Sequence, residues 1–318
     1  MGLKSAKNDN WSSPQDYKYN VSGKNQDFYS SERAPGVLIN TSGGTKIDSP
    51  TDVFHVFTGS EPFDNDGGAL TVDVLLIGGG GGTTTSSWSG GGGAGGYRLV
   101  TSIPVATGTS NPVIIGAGVG APQSLGGSTS ALGYSVGGGG RGGPAHVNGT
   151  PAPQGSGGGG GGPDNGYPPW GGSSGSAPSS YGNWGGSAGT TSQGPAPGGG
   201  GGGIGGQGKD TSYPSPTYAP WHWANYPSAQ GGGVGGPGGH PASATFPMPV
   251  IAPGFPSNTR TFLLNANSYD SFCRGGCGRP RSGYGVAGGT TNTGGGGGGG
   301  PNYYGGSGCV VVRIPKSQ

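Results

Sequence analysis

Three cysteines and four histidines have the most direct claim on metal or nucleophilic chemistry in this sequence. Cys273 and Cys277 stand four apart in CRGGC, with Cys309 far downstream. A zinc site of this kind needs a second pair, or histidines at matching spacing. Neither occurs, and an odd cysteine count argues against a disulfide framework. The stretch VDVLLIGGGGG (72–82) imitates a strand entering a dinucleotide-binding turn. That fingerprint needs a helix next and an acidic residue about 20 positions on. TTTSSWSGGGGAGG follows instead, and the next acidic residue after Asp73 is Asp164. Arginine precedes paired glycines only at Arg141 and Arg274, too few for an RGG-type nucleic-acid segment. We expect no catalytic residues, no cofactor, no metal and no nucleic acid, and so no enzyme.

Aromatic rings are the remaining chemistry. Tyr167, Trp170, Tyr181, Trp184, Tyr213, Tyr218, Trp221, Trp223 and Tyr226 crowd into the middle of the chain among Pro, Ser and Gly. Such rings among small polar residues suit adaptable binding surfaces, and their faces also stack on sugars. The competing reading is that they pack between loops and cover the body of the protein.

The elements that would carry these rings are unusual. Of 318 residues, 83 are Gly and 29 are Pro, which by itself suggests low complexity or disorder. Disorder also draws on high net charge, and here the net charge is only +2. Fifteen of the 28 charged groups lie in residues 1–66, and between Gly82 and Gly208 only Arg98, Arg141 and Asp164 are charged. Residues 1–52 therefore read as a polar arm and 53–318 as a glycine-rich domain. Segments 53–57, 70–77, 97–100, 112–115, 261–264 and 309–314 read as β-strands bounded by turn residues. No segment has a sustained helical period, so almost no α-helix is expected. Nothing at the N-terminus resembles a signal peptide, and no window is apolar enough for a membrane span.

Between the strands lie glycine runs at 78–82, 90–93, 137–140, 157–162, 198–203 and 294–300. Loops are expected at 163–197, 204–230 and 240–293. Glycine can adopt the extended threefold helix of the polyproline II type while keeping its N–H groups. Without side chains, such helices can approach closely enough to bond to one another. Ordering glycine costs roughly 0.5–1 kcal/mol per residue more than alanine, and a net hydrogen bond returns about 0.5–1.5 kcal/mol. A pair of runs nearly breaks even, whereas a bundle gives interior runs partners on all sides. The expected class is thus mainly β and irregular, with strands at both ends of a polyglycine II bundle and strand 72–77 beside 310–314.

VDVLLIGGGGG, then GGGGAGGYR (90–98), PVIIGAG (112–118) and the closing GGSGCVVVRIP (305–315) resemble the glycine-rich virion proteins of tailed bacteriophages, cyanophage-like in type. The resemblance covers residues 53–318, with the middle loops matching in composition only. Cys309 in the closing strand and the long Pro/Trp-rich loops depart from the pattern. The resemblance implies a tail fibre, fibre-tip adhesin or head fibre located in the virion. It also implies that the nine aromatics above contact a host glycan or protein. Residues 1–52 would then bind other virion proteins, in a homo-oligomer such as a trimer, without membrane insertion. A capsid decoration protein and an extracellular glycine-rich structural protein are the alternatives.

Overall fold

The computed structural model describes residues 19–21, 24–26, 37–84, 88–119, 124–162, 182–188, 198–203, 207–208, 273, 275–276, 289, 291–299 and 304–317. The expected strand 261–264 lies outside them. Among the described residues there is no helix, and the fold is mainly β. The strands are β1 (Tyr19–Val21), β2 (Lys24–Gln26), β3 (Thr41–Ser42), β4 (Thr45–Asp48), β5 (Asp52–Phe57) and β6 (Glu61–Asn65). They continue with β7 (Leu70–Ile77), β8 (Tyr97–Val105), β9 (Thr109–Val113), β10 (Thr129–Ala131), β11 (Tyr134–Val136) and β12 (Cys309–Pro315).

Five strands form an antiparallel sheet in the order β4-β5-β12-β7-β8, and β3-β6-β9 form a second. The closing strand pairs with the opening glycine-bearing strand as the sequence suggested, with Val310 opposite Leu76 and Val312 opposite Val74. Its other edge is taken by β5, with Val312 opposite His55. The central strands are apolar at successive positions because both faces of the sheet are buried. Val53, Phe57, Val74, Leu76, Val310 and Val312 join a core with Phe63 and Val113 of the smaller sheet. The alternate residues Phe54, Val56, Leu75, Ile77, Cys309 and Val311 form a second core with Ala94 and Cys273.

The change of composition near Val53 is not an edge of this sheet. Residues 45–48 pair with β5, Ile47 lying opposite Phe54. The chain crosses between the sheets at Gly43 and Gly44, with φ of 98° and 60°, values that side chains rarely adopt. Beneath this turn sits His55, fully buried. Its Nδ1–H donates to the Gly43 carbonyl at 2.6 Å, and its Nε2 accepts from the Thr41 hydroxyl at 2.8 Å. Phe63 meets the ring edge-on at 5.2 Å. Burial lowers the His55 pKa, and the charge of Lys46 adds to this against the opposing Gly43 bond. The folded state therefore prefers neutral imidazole. Below the unfolded value of about 6.5 the unfolded chain binds more protons, so stability falls as pH falls through that window. Thermal unfolding should show this slope below about pH 6.5, and His55→Gln should abolish it, whatever the substitution costs at pH 8.

The glycine runs extend directly from the strands. β7 and β8 pair as far as Ile77 opposite Tyr97. The same two chains continue as glycine, Gly78 N–H donating to the Gly96 carbonyl and Gly81 to Gly93, each at 2.9 Å. Between these bonds the partner changes: Gly79 donates to Gly127 and Gly80 to Gly306. The run 90–96 follows the same rule along its length. Gly90, Gly93 and Gly96 donate to Gly143, Gly140 and Gly137. Gly91 and Ala94 donate to Gly199 and Gly202, and Gly92 and Gly95 to Gly297 and Gly294. Its carbonyls accept from three further segments, at 78–81, 156–159 and 276. A β-strand offers its N–H groups to two sides only. A threefold chain turns successive N–H groups by about 120°, so its partner recurs every third residue.

Segments without long glycine runs also join the bundle. Gly157 donates to Asn183 and Gly160 to Gly186, and Gly201 donates to Gly276. Gly208 donates to Trp184, so the loops expected at 163–197, 204–230 and 240–293 are each interrupted by bundled residues. The expectation failed because isolated Gly-Gly pairs suffice where a run would have no more than a few neighbours to meet.

Candidate functional site

The bundle has two unlike ends, and the candidate surface is the one away from the sheets. Ile77, Tyr97, Val136 and Cys309 mark the sheet end, where strands meet glycine. Hydrogen bonds then order the other residues by depth. Gly96, Gly93 and Gly90 pair in turn with Gly137, Gly140 and Gly143. Ser156, Gly159 and Gly162 pair with Ala94, Gly91 and Trp88. Residues 82, 88, 143–149 and 162 thus lie at the far end, while β3 to β6 lie at the sheet end.

At the far end the chain turns at 144–149. Val147 N–H donates to the Pro144 carbonyl at 3.0 Å, and His146 N–H to Gly162 at 3.2 Å. His146 has a φ of 61° and is exposed, and Val147 is 44% exposed. A non-glycine residue held in the left-handed region at an exposed tip costs of order 1 kcal/mol. This turn was missed in the sequence, where attention fell on rings. The stretch PAHVNG carries Pro and Asn-Gly turn signals that could have found it.

Of the nine aromatics, Trp184 alone lies among the described residues. It is 50% exposed, and its carbonyl accepts from Gly208 N–H at 2.9 Å. Because Asn183 pairs with Gly157, the ring sits on the flank of the bundle at middle depth. Tyr167, Trp170, Tyr181, Tyr213, Tyr218, Trp221, Trp223 and Tyr226 lie outside the described residues. The Arg141 of the first RGG is built into the bundle, its backbone N–H donating to the Thr150 hydroxyl at 2.8 Å.

Of the cysteines, Cys273 and Cys309 are free and buried in one core cluster, and Cys277 lies outside the described residues. Burial raises both thiol pKa values well above the ordinary range, so both stay protonated and poorly nucleophilic. Among the described residues no three His, Cys, Asp or Glu side chains gather as metal ligands. No helix there is long and apolar enough to cross a membrane. An exposed ring and an exposed turn on a close-packed support can bind by stacking and shape. No protein-family model matches the sequence, and no curated protein matches it.

Proposed function

We propose that this chain is a non-enzymatic bacteriophage virion protein, a tail fibre or fibre-tip adhesin, in which a polyglycine II bundle holds host-contacting loops. The observation that carries this reading is the polarity of the bundle. The five- and three-stranded sheets lie at one end, and the turn at 144–149 lies at the other. Interior segments bonded on all sides make a stiff support, so loops can vary in length at little cost to it. Tyr and Trp beside Pro lose little entropy on binding, which favours them as contact residues.

Replacing Trp221 and Trp223 together by Ala should abolish adsorption to host cells while particle assembly and melting temperature stay unchanged. A ring at the centre of a real contact is worth roughly 2 kcal/mol or more, about thirtyfold in single-site affinity. Normal adsorption would move recognition elsewhere, and loss of folding would assign these rings to packing. Attachment to the virion is expected from the arm 1–52, of which residues 41–42 and 45–48 also pair into the sheets.

A further inference from the structure

We propose that the run at 157–162 is a slip register: it can pass an added glycine on into the connection beyond Gly162 without loss of packing. The inference rests on the period of three in the bundle's hydrogen bonds and does not depend on the proposed function. A threefold helix advanced by one residue and turned by about 120° coincides with itself. In a run of glycine alone, every site is then refilled by an identical residue.

The run 157–162 shows what is conserved in such a step. Its donors go in turn to Asn183, Thr150, Gly91, Gly186, Val147 and Trp88. One inserted glycine hands each acceptor the next N–H along, and one residue passes beyond Gly162. The start of the run stays fixed, because Ser156 N–H donates to Ala94 at 2.9 Å and its hydroxyl accepts from Asn183 N–H at 3.3 Å. A strand has no such freedom. A one-residue slip in β7 would exchange Leu75 and Leu76 between the two cores.

Not every glycine run qualifies. Residues 137–140 are fixed at Val136, where β11 ends, and lead into Arg141. An extra glycine there would push Arg141 into the place of Gly142. A Cβ at Gly142 falls on the carbonyl oxygen of Gly90. Side chains next to a run therefore decide whether it can slip.

The test compares two full-length variants, one glycine inserted between Gly159 and Gly160 and one between Gly138 and Gly139. The first should melt within about 2 °C of the parent, since one added loop residue costs little. The second should melt at least about 5 °C lower, as expected of overpacking. Amide exchange in the first variant should show bundle protection retained through Gly157–Gly162. Equal losses in the two variants, or none in either, would overturn the proposal. So would an unchanged melting temperature with protection lost in the run, because the extra residue would then sit as a bulge.

Discussion

Gly92→Ala is expected to destabilise the protein by about 3 kcal/mol or more, lowering the melting temperature by roughly 6–12 °C. The added Cβ would fall on the carbonyl oxygen of Gly81 and lie 3.0 Å from the Gly297 nitrogen. Both neighbours are backbone, so no side-chain rotation relieves the clash. Gly92 is held from both sides, its N–H donating to Gly297 and its carbonyl accepting from Gly276, each at 2.8 Å. Shifting the chain outward would lengthen these bonds and those of its neighbours, each worth about 0.5–1.5 kcal/mol net. The matching control is Gly59→Ala. Nothing lies within 4 Å of a Cβ there and its φ is outside the left-handed region. That variant should melt with the parent or slightly above it, because alanine narrows the unfolded ensemble. If Gly92→Ala and Gly59→Ala melt alike in calorimetry, the close-packed bundle is refuted.

Arg313→Met should cost about 2–3 kcal/mol through two stranded carboxylates. Arg313 Nε donates to Asp52 at 2.9 Å and one terminal nitrogen to Asp73 at 3.0 Å, tying β5, β12 and β7 together on one side of the sheet. Asp52 is 4% exposed and Asp73 9% exposed. Removing one partner of a buried pair usually costs about 3–5 kcal/mol, because the remaining charge has lost its water and its counter-ion. The cost is smaller here because a fifth of the Arg313 side chain still meets solvent. Asp73 also accepts the Ser102 N–H at 2.9 Å, where β7 and β8 lose register between Val72 and Val74. Adding Asp52→Asn and Asp73→Asn to Arg313→Met should recover much of the loss. If Arg313→Met alone leaves chemical denaturation unchanged, the triad is a surface feature without structural weight.

Much of the architecture was legible because its determinants are local. Alternating β-branched and aromatic residues at 53–57, 70–77 and 309–314 announce strands, and neighbouring apolar residues on both faces announce a doubly buried sheet. Long glycine runs with few charges announce a chain that must satisfy its backbone by pairing. The candidate surface was less legible. Exposed aromatics can be read from composition, but whether a ring faces solvent or a neighbouring loop depends on contacts distant in sequence. Trp184 shows this: Gly-Asn-Trp-Gly-Gly reads as loop, yet Gly186 accepts from Gly160 within the bundle.

By itself, then, the sequence determined the class of material: strands where side chains alternate, and close-packed backbone where there are none. It also determined that strand 72–77 could lie beside 310–314, since their apolar patterns match on both faces. Only the tertiary structure decided which run lies beside which, in what direction and at what depth. The physical reason is that glycine carries no side chain to encode a partner. Every N–H and every carbonyl in a run is equivalent to the next, so pairing is chosen at the junctions. Ile77, Tyr97, Val136 and Cys309 set the starting register of the runs they adjoin, and Ser156, Thr150 and Asn183 set it where no strand is near. The placement of His55 under Gly43 and of Arg313 between two aspartates was decided in the same way, by strands that meet only once the sheet is assembled.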